Sequence, residues 1–386
     1  MSNLTPPNAV RYGPSLMHVP LRIETTEALD AFLAGIGRGP VALDTEADSF
    51  HHYRDRVCLV QLSAGGHDAI VDPLAEVDLS RLAPALADRG VRKILHGADY
   101  DVRILRRDHD LSIAHLFDTM VAARLSGETA VGLAALLTSF LGIAHDKSHQ
   151  RADWSRRPLT PAMVAYAALD TRHLEELAGI LGARLETLGR TAWAEEEFSR
   201  LEQLAWRDTR EDDPEPFRRV KGAARLDRRG LAVLREVWSW RDGMARRRDL
   251  PPFRVLRDET LHAVAATPPR TVSDLAKVAG FPQPLLRSPA AHDLVEAACR
   301  GVALADAELP EVRVSVRPRP DAALEAETLR IKEVRDRLAG ELALEPSLLG
   351  SRAALEDVAR RGLAGEDPWA GPEIRAWQRE LLASRL

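Results

Sequence analysis

The feature that most constrains this chain is the stretch VALDTEADSF, residues 41–50, where three apolar residues lead directly into Asp44, Thr45 and Glu46. The apolar run predicts a buried strand. Because side chains alternate between the faces of a strand, Asp44 and Glu46 share one face about 7 Å apart. Two carboxylates held that close repel each other unless a cation or a proton lies between them. An isolated Asp-x-Glu is more often an ordinary solvated strand end, so the rest of the chain decides its meaning.

Strand-like and helix-like segments follow in a regular order. Residues 17–23, 41–44, 57–62, 68–71 and 93–95 have the composition of strands, first in a meander and then alternating with helices. Helix caps are expected at Thr25 or Thr26, Asp118 and Thr160. This order predicts an α/β domain with a mixed sheet and helices on its faces.

Two further carboxylates stand where such folds place ligands. In KILHGADYDVRIL, residues 93–105, a strand ends at His96 and a helix begins near Asp99, so Asp101 lies in the first helical turn. Asp99 is the competing carboxylate and could be only a cap, and His96 is best explained as a hydrogen-bonded residue at the strand end. In the helix that Thr160 begins, Tyr166 and Asp170 share one face.

Four carboxylates that converge on one sheet edge are strongly destabilising without metal. The set is Asp44, Glu46, Asp101 and Asp170. Two divalent ions, Mg²⁺ or Mn²⁺, about 3.5–4 Å apart would neutralise the four side chains and hold a phosphodiester for hydrolysis. A tyrosine hydroxyl beside such a site, here Tyr166, can orient the attacking water.

The loop before the last of these helices, residues 146–159, is polar and basic. Cations interleaved with an aromatic residue suit phosphate contact and base stacking. The residues predicted to contact nucleic acid are Lys147, Gln150, Arg151, Trp154, Arg156 and Arg157. The competing interpretation of Trp154 is a packed loop anchor.

Taken in order, these stretches resemble the DEDD superfamily of 3′→5′ exonucleases, in its tyrosine subclass, and within it the ribonuclease D family. The matching phrases lie between residues 17 and 200 and are ALDTEAD, VCLVQLS, KILHGADYDVRIL, FDTMVAARL, GLAALLTSFLGI, KSHQRADWSRRPLT and YAALDTRHL. The resemblance implies a ribonuclease H-like mixed sheet with flanking helices over residues 1–205.

The resemblance also implies roles for the site residues. Asp44, Glu46, Asp101 and Asp170 would bind the two cations, with Asp44 bridging them. Tyr166 would position the water, and Glu46 would also touch the terminal 3′-hydroxyl. The expected substrate is RNA with a free 3′ end, such as a tRNA precursor, and the expected products are nucleoside 5′-monophosphates. Family members often have an aromatic and then basic residues after this glutamate, whereas this chain has ADSFHH at 47–52, so substrate contacts there stay open.

The C-terminal half is predicted to be helical. After a charged linker at 206–216, residues 217–301 resemble an HRDC domain and carry 17 Lys and Arg against 9 Asp and Glu, within a chain of net charge −5. Lys221, Arg246, Arg247 and Arg248 are the candidates for backbone contact, unless they are only a solvated face or the domain binds protein. A second linker, 307–323, precedes a more divergent HRDC-like domain at 324–386, which either packs against the rest or completes a ring around the active site.

Several function classes are disfavoured. Two distant cysteines, Cys58 and Cys299, argue against a disulfide framework, and the N-terminal residues lack the layout of a signal peptide. The most apolar segment, 133–144, is too short to span a bilayer. We therefore expect a cytoplasmic monomer with no membrane partner. The alternatives are a 3′→5′ exonuclease acting on DNA, including single strands, and an inactive nucleic-acid-binding adaptor, against which the complete carboxylate set argues.

Overall fold

The computed structural model describes residues 19–146, 148–206, 213–313 and 321–386. Its N-terminal part contains a six-stranded sheet in the order β1-β4-β3-β2-β5-β6. The strands are β1 Leu21–Ile23, β2 Val41–Ala47, β3 Val57–Ala64, β4 His67–Val71, β5 Lys93–Leu95 and β6 Leu116–Asp118. Strand β3 pairs antiparallel with both β2 and β4. The other three pairs, β1 with β4, β2 with β5 and β5 with β6, are parallel. The predicted mixed sheet is confirmed.

Helices cover both faces of this sheet. They are α1 Thr26–Gly35, α2 Ala83–Ala87, α3 Asp99–His109, α4 Thr119–Leu125, α5 Leu133–Leu136, α6 Pro161–Arg172, α7 Leu174–Thr187 and α8 Thr191–Glu202, with 3₁₀ turns at Pro73–Ala75 and Leu79–Leu82 and a π-helical turn at Leu137–Leu141. The alternation of β2 divides the core, because Val41 and Leu43 pack in one hydrophobic cluster and Ala42 in another.

Three helix caps stand at positions that the sequence predicts. The side chains of Thr25, Asp118 and Thr160 accept hydrogen bonds from backbone amides in the first turns of α1, α4 and α6. Asp118 also accepts from the amides of Gly97 and Ala98 at 3.2 and 2.7 Å. Asp118 therefore fixes the connection from β5 to α3, and Asp101 lies in the first turn of α3.

The HRDC region is helical, as predicted. It contains 3₁₀ turns Pro216–Arg219 and Ala223–Arg225 and helices α9 Arg228–Arg248, α10 Pro252–Val255, α11 Asp258–Ala266, α12 Val272–Leu275, α13 Gln283–Leu286 and α14 Ala290–Ala303. Helices α9 and α14 approach so closely that a Cβ on Gly301 would lie 2.5 Å from Val233 Cα. Only glycine fits this crossing, and the two helices form the centre of the bundle.

The C-terminal unit packs against helices of the N-terminal domain. It contains helices α15 Ala322–Leu342, α16 Arg352–Leu363 and α17 Ala376–Ala383, with a 3₁₀ turn Pro346–Leu349 between α15 and α16, while another 3₁₀ turn, Asp306–Glu308, follows α14. Trp377 stacks on Trp193 of α8 with ring centroids 5.0 Å apart, and its indole N–H donates to Glu197 at 3.1 Å. The buried guanidinium of Arg190 donates to the carbonyls of Leu125 and Leu342. These contacts agree with the packing expectation for residues 324–386.

A loop of the N-terminal domain, residues 48–56, contacts the HRDC region directly. Asp249 accepts from His52 Nδ1 at 2.6 Å and from the amide of Tyr53 at 3.1 Å. The Tyr53 hydroxyl donates to Asp242 at 2.8 Å, and the Arg246 guanidinium lies 5.4 Å from the Tyr53 ring centroid. The residues that depart from the family pattern after Glu46 thus lead into an interdomain contact. No helix within the described ranges is long and apolar enough to cross a membrane.

Candidate active site

Strand β2 delivers two carboxylates to one face of the sheet and a threonine to the other. Ligand oxygens of Asp44, Glu46 and Asp170 all lie within 4.8 Å of one another. Thr45 stands between the first two and turns its hydroxyl to Asp101, donating to Oδ1 at 2.5 Å. Residues predicted from strand periodicity to share a face therefore do so, and they meet a carboxylate from a distant helix.

Asp101 and Asp170 reach this edge from helices on different faces of the sheet. Asp101, on α3, is 6% exposed, and Asp170, on α6, is 8% exposed. Asp101 is not one of the three residues with mutually close ligand oxygens, but its charge acts on Asp44 and Glu46. The four predicted carboxylates are brought together as a compact trio with Asp101 beside it.

Burial makes these carboxyl groups hard to ionise. The pKa of Glu46 is raised to about 9, first by burial and then by Asp170 and Asp101. The pKa of Asp44 is raised well above its usual value by burial and by the other three carboxylates. Burial also raises the pKa of Asp101 to about 6 and raises that of Asp170. Protons or cations must therefore balance the charge of this cluster at neutral pH.

Tyr166 lies one helical turn before Asp170 and is 9% exposed. Burial and the nearby carboxylates Asp170, Glu46 and Asp44 raise its pKa. The side chain thus stays a neutral phenol that can donate a hydrogen bond, and it cannot serve as a base near pH 7.

Two histidines line the same cavity, which has a volume of about 290 Å³. His145 Nδ1 donates to the carbonyl of Asp146, and its Nε2 lies 2.8 Å from Asp170 Oδ1. This bond to Asp170 raises the pKa of His145. The sequence analysis missed His145, since the chain shows no spacing that would link it to a residue 25 positions later.

His96 is bonded at one nitrogen only within the described part of the chain. Its Nδ1 lies 2.9 Å from the Thr119 hydroxyl, which itself donates to the carbonyl of Leu95. The buried Nε2 has no partner there. Burial lowers the pKa of His96 to about 4, so the ring is neutral. The expected strand-end hydrogen bond is present, but the residue also lines the cavity.

The predicted nucleic-acid contacts fall into different environments. Gln150 lines the cavity, and Arg151 and Arg156 are exposed beside it, the latter paired with Asp153 at 3.1 Å. On the HRDC region, Lys221, Arg246, Arg247 and Arg248 are exposed, with Arg246 in contact with Tyr53 and Asp242. Lys147 lies outside the described residues.

Two of the predicted contacts require correction. Trp154 is 1% exposed and packs in a core cluster with Leu59, Ile70 and Tyr166, so it cannot offer a face to a base and is the loop anchor of the competing interpretation. Arg157 donates to both oxygens of Asp72 and to backbone carbonyls, including that of Cys58. Its guanidinium is used to join the loop to the sheet and not to hold phosphate.

The donor set fits a hard divalent cation. All of the grouped ligand atoms are carboxylate oxygens, the type that Mg²⁺ and Mn²⁺ prefer. Their raised pKa values mean that an incoming dication would replace protons and relieve repulsion. The buried oxygens are thus better suited to a cation than to any anion or apolar ligand.

Comparisons with known proteins agree with this geometry. A family model for 3′–5′ exonuclease domains matches residues 21–186, and an HRDC domain model matches residues 230–296. Ribonuclease D of Gluconacetobacter diazotrophicus is 35% identical, with 94% of this chain and 90% of that protein covered. Ribonuclease D of Acidiphilium cryptum is 34% identical, with 95% and 91% covered.

Solved structures show the same relationship over nearly the whole chain. Escherichia coli RNase D, described as an exoribonuclease involved in structured RNA processing, is similar with a TM-score of 0.69 at 26% identity, covering 95% of this chain and 96% of that one. The catalytic core of RRP6 from Trypanosoma brucei is similar with a TM-score of 0.65 at 27% identity, covering 75% of this chain and 82% of that one. The relatives favour RNA over the DNA alternative, and this chain belongs to the ribonuclease D family of metal-dependent 3′–5′ exoribonucleases.

Proposed function

We propose that the chain shortens RNA from free 3′ ends, with tRNA precursors and other structured RNAs as substrates, by using two divalent cations, Mg²⁺ or Mn²⁺. The observation that carries this proposal is the carboxylate trio of Asp44, Glu46 and Asp170, whose ligand oxygens lie within 4.8 Å of one another in a cavity shared with Tyr166. When bound, the cations would supply charge neutralisation, a more acidic water and a clamp on the phosphodiester.

Asp44, Glu46 and Asp170 would hold the cations, and Asp101 would complete the set. Thr45 keeps one oxygen of Asp101 in a hydrogen bond at 2.5 Å, which fixes the rotamer that this carboxylate presents. His145 does the same for Asp170 at 2.8 Å. Such partners behind metal ligands set ligand orientation in known metal sites.

Tyr166 orients the attacking water. Its phenol proton is retained at neutral pH, so it donates to the water oxygen, or to the phosphate that the water attacks, and removes no proton itself. The water oxygen forms a bond to phosphorus while the bond from phosphorus to the 3′ oxygen of the preceding nucleotide breaks. Of the two water protons, one passes through solvent to that 3′ oxygen and the other is released to solvent. The products are a nucleoside 5′-monophosphate and an RNA that is one nucleotide shorter with a new 3′-hydroxyl, which Glu46 contacts in the next cycle.

A time course on matched 5′-labelled RNA and DNA strands tests this function. We expect a ladder that shortens from the 3′ end in Mg²⁺ or Mn²⁺, is absent in EDTA, and forms more slowly on DNA. A strand blocked by a 3′-phosphate is the control and should stay intact if the free 3′-hydroxyl is required. Equal or faster cutting of DNA would overturn the proposed substrate class, and cutting in EDTA would overturn the metal requirement.

We also propose that the chain acts in the cytoplasm as a monomer. The two cysteines are free thiols, Cys58 buried and Cys299 exposed, which is compatible with a reducing cytoplasm. We propose a monomer, and analytical ultracentrifugation at micromolar concentration would show a single species of about 42.6 kDa if this is right.

A further inference from the structure

An exposed aromatic pair bridges the exonuclease domain and the HRDC region. Phe50, in the loop that follows β2, lies edge-to-face with Phe253 of α10, with ring centroids 6.5 Å apart and planes inclined by 71°. The two residues are 46% and 50% exposed, so each ring keeps a large part of its surface in solvent. Single exposed apolar side chains are common, but two exposed rings in contact form a continuous apolar surface of the kind that marks binding sites.

Cationic side chains surround the aromatic pair, defined as Phe50 and Phe253. The Arg151 guanidinium lies 5.8 Å from the Phe50 ring centroid, and no carboxylate pairs with it among the described residues. Arg254 follows Phe253 in the chain and donates to His51 Nδ1 at 3.1 Å. Aromatic faces beside unpaired cations are the combination that binds single-stranded nucleic acid, since bases stack on the rings and phosphates meet the cations.

The aromatic pair lies next to the active-site cavity. Gln150 lines that cavity together with Asp44 and Glu46, and the next residue, Arg151, is the one that covers Phe50. His51 Nε2 donates to the carbonyl of Arg151 at 3.1 Å, which fixes the Phe50 loop to the cavity rim. A cavity of about 290 Å³ is at the small end of ligand pockets, roughly 300–1,000 Å³, so it holds a chain end while the rest of the strand leaves across its rim.

We infer that the aromatic pair, flanked by Arg151 and Arg254, is a stacking platform for the bases of single-stranded RNA that lie more than two nucleotides upstream of the 3′-terminal nucleotide. The inference rests on the proposed function, because it takes the strand in the cavity to be RNA. One ring comes from each domain, so the platform exists only while the HRDC region is docked. The platform binds RNA substrates whose length allows them to extend from the cavity across its rim. It takes no part in hydrolysis.

The test compares a 12-nucleotide RNA with a trinucleotide on the full-length protein. Phe50→Ala and Phe253→Ala should each raise KM for the 12-mer about tenfold, given the size of base–aromatic stacking, while kcat/KM for the trinucleotide stays within about twofold, because a short substrate need not reach the pair. Phe50→Trp, which keeps an aromatic ring at this position, should have the wild-type KM for the 12-mer. Val302→Ala, at a 45% exposed apolar residue of α14, is the matched control and should change neither substrate.

Three results would overturn the platform. The first is an unchanged KM for the 12-mer in both alanine variants. The second is equal loss on the trinucleotide, which would make the pair part of the catalytic site. The third is an increased radius of gyration in X-ray scattering of Phe50→Ala, which would make the pair a domain contact only. If the wild-type protein cuts neither RNA, the proposed function fails first, and a 12-mer binding assay in EDTA then tests the platform alone, with an unchanged Kd in Phe50→Ala overturning it.

Discussion

The carboxylates at the end of β2 and the arginines at the end of α9 are both clusters of like charge, but they differ in burial. Asp44 and Glu46 lie in a cavity where burial and mutual repulsion raise their pKa values. Arg246, Arg247 and Arg248 are exposed, and solvent screens their charge. A buried cluster demands a specific counter-ion, whereas an exposed one contributes only to a long-range field. Adjacent like charges thus give a defined site where they are buried and a diffuse surface where they are exposed.

The largest expected effect comes from removing one charge of the buried cluster. Asp44→Asn keeps the volume of the side chain but removes a metal-binding oxygen, so we expect kcat/KM on RNA to fall at least about a thousandfold. Circular dichroism should show an unchanged fold. Asp99→Asn, at an exposed acidic residue of α3 that pairs with Arg103, is the control and should retain activity. Substantial turnover by Asp44→Asn would contradict the assignment.

The buried carboxylates should also make stability depend on pH. The folded-state pKa of Glu46 is about 9 against an ordinary 4.5, so its contribution is complete below about pH 4.5 and is lost as pH rises through 9. In EDTA, the Tm of the wild type should therefore fall across this window. Glu46→Gln should flatten the fall and melt a few degrees higher at pH 8.5, where about 1 kcal/mol corresponds to roughly 2–4 °C. Identical Tm profiles for the two proteins would show that folding does not raise the pKa of Glu46.

Removing the phenol hydroxyl tests whether Tyr166 contributes to the catalytic step. Tyr166→Phe keeps the packing of the ring against Trp154 and His145 but loses the donor, so kcat should fall about ten- to a hundredfold with KM nearly unchanged. Single-turnover kinetics would separate this from product release. A normal kcat would remove Tyr166 from the step.

Substitution of His145 tests whether the hydrogen bond that it makes to Asp170 affects metal affinity. His145→Ala should raise the Mn²⁺ concentration for half-maximal activity, and the Mn²⁺ Kd from electron paramagnetic resonance, by about tenfold. His145→Gln, which retains an N–H donor, should recover part of this loss. Equal Mn²⁺ affinity in the wild type and His145→Ala would mean that the bond to Asp170 has no role in holding the metal.

The smallest effect is expected at the exposed arginines. Changing Arg247 and Arg248 together to Gln should weaken RNA binding several-fold and lower the slope of log Kd against log salt by about 1–1.5. Arg287→Gln, at an exposed arginine at the C-terminal end of α13 in the same region, is the control and should leave RNA binding and the salt slope unchanged. An unchanged salt slope would make the end of α9 an ordinary solvated surface.

Patterns among neighbouring residues were sufficient to predict the mixed sheet with its helices and the shared face of two of the four carboxylates. Alternation on β2 placed Asp44 and Glu46 together, and the caps at Thr25, Asp118 and Thr160 depend on bonds to residues only two or three positions away. Strand β6 was not predicted, because its three residues end in Asp118, whose position before a helix was assigned to the cap alone. The structure describes β1 from Leu21, while residues 17 and 18 of the predicted first strand lie outside the described ranges.

Contacts between distant residues were beyond the sequence. Trp154 was expected to stack on bases because its neighbours are basic, but whether an aromatic side chain points inward depends on which core it meets, here that of Tyr166 and Leu59. The bond between His145 and Asp170 and the docking of Tyr53 on α9 are likewise set by tertiary packing. Charge and composition indicated nucleic acid, and only the fold separated exposed arginines from those, such as Arg157, that join the core.

The most direct test of the central claim is a calorimetric titration of the metal-free protein with Mn²⁺ at pH 7, in buffers with different ionisation enthalpies. We expect two bound ions per chain, with protons released on binding because the raised pKa values keep carboxyls protonated beforehand. Asp44→Asn should abolish the titration. Binding that is absent in the wild type, or equal in Asp44→Asn, would contradict a metal centre at the end of β2.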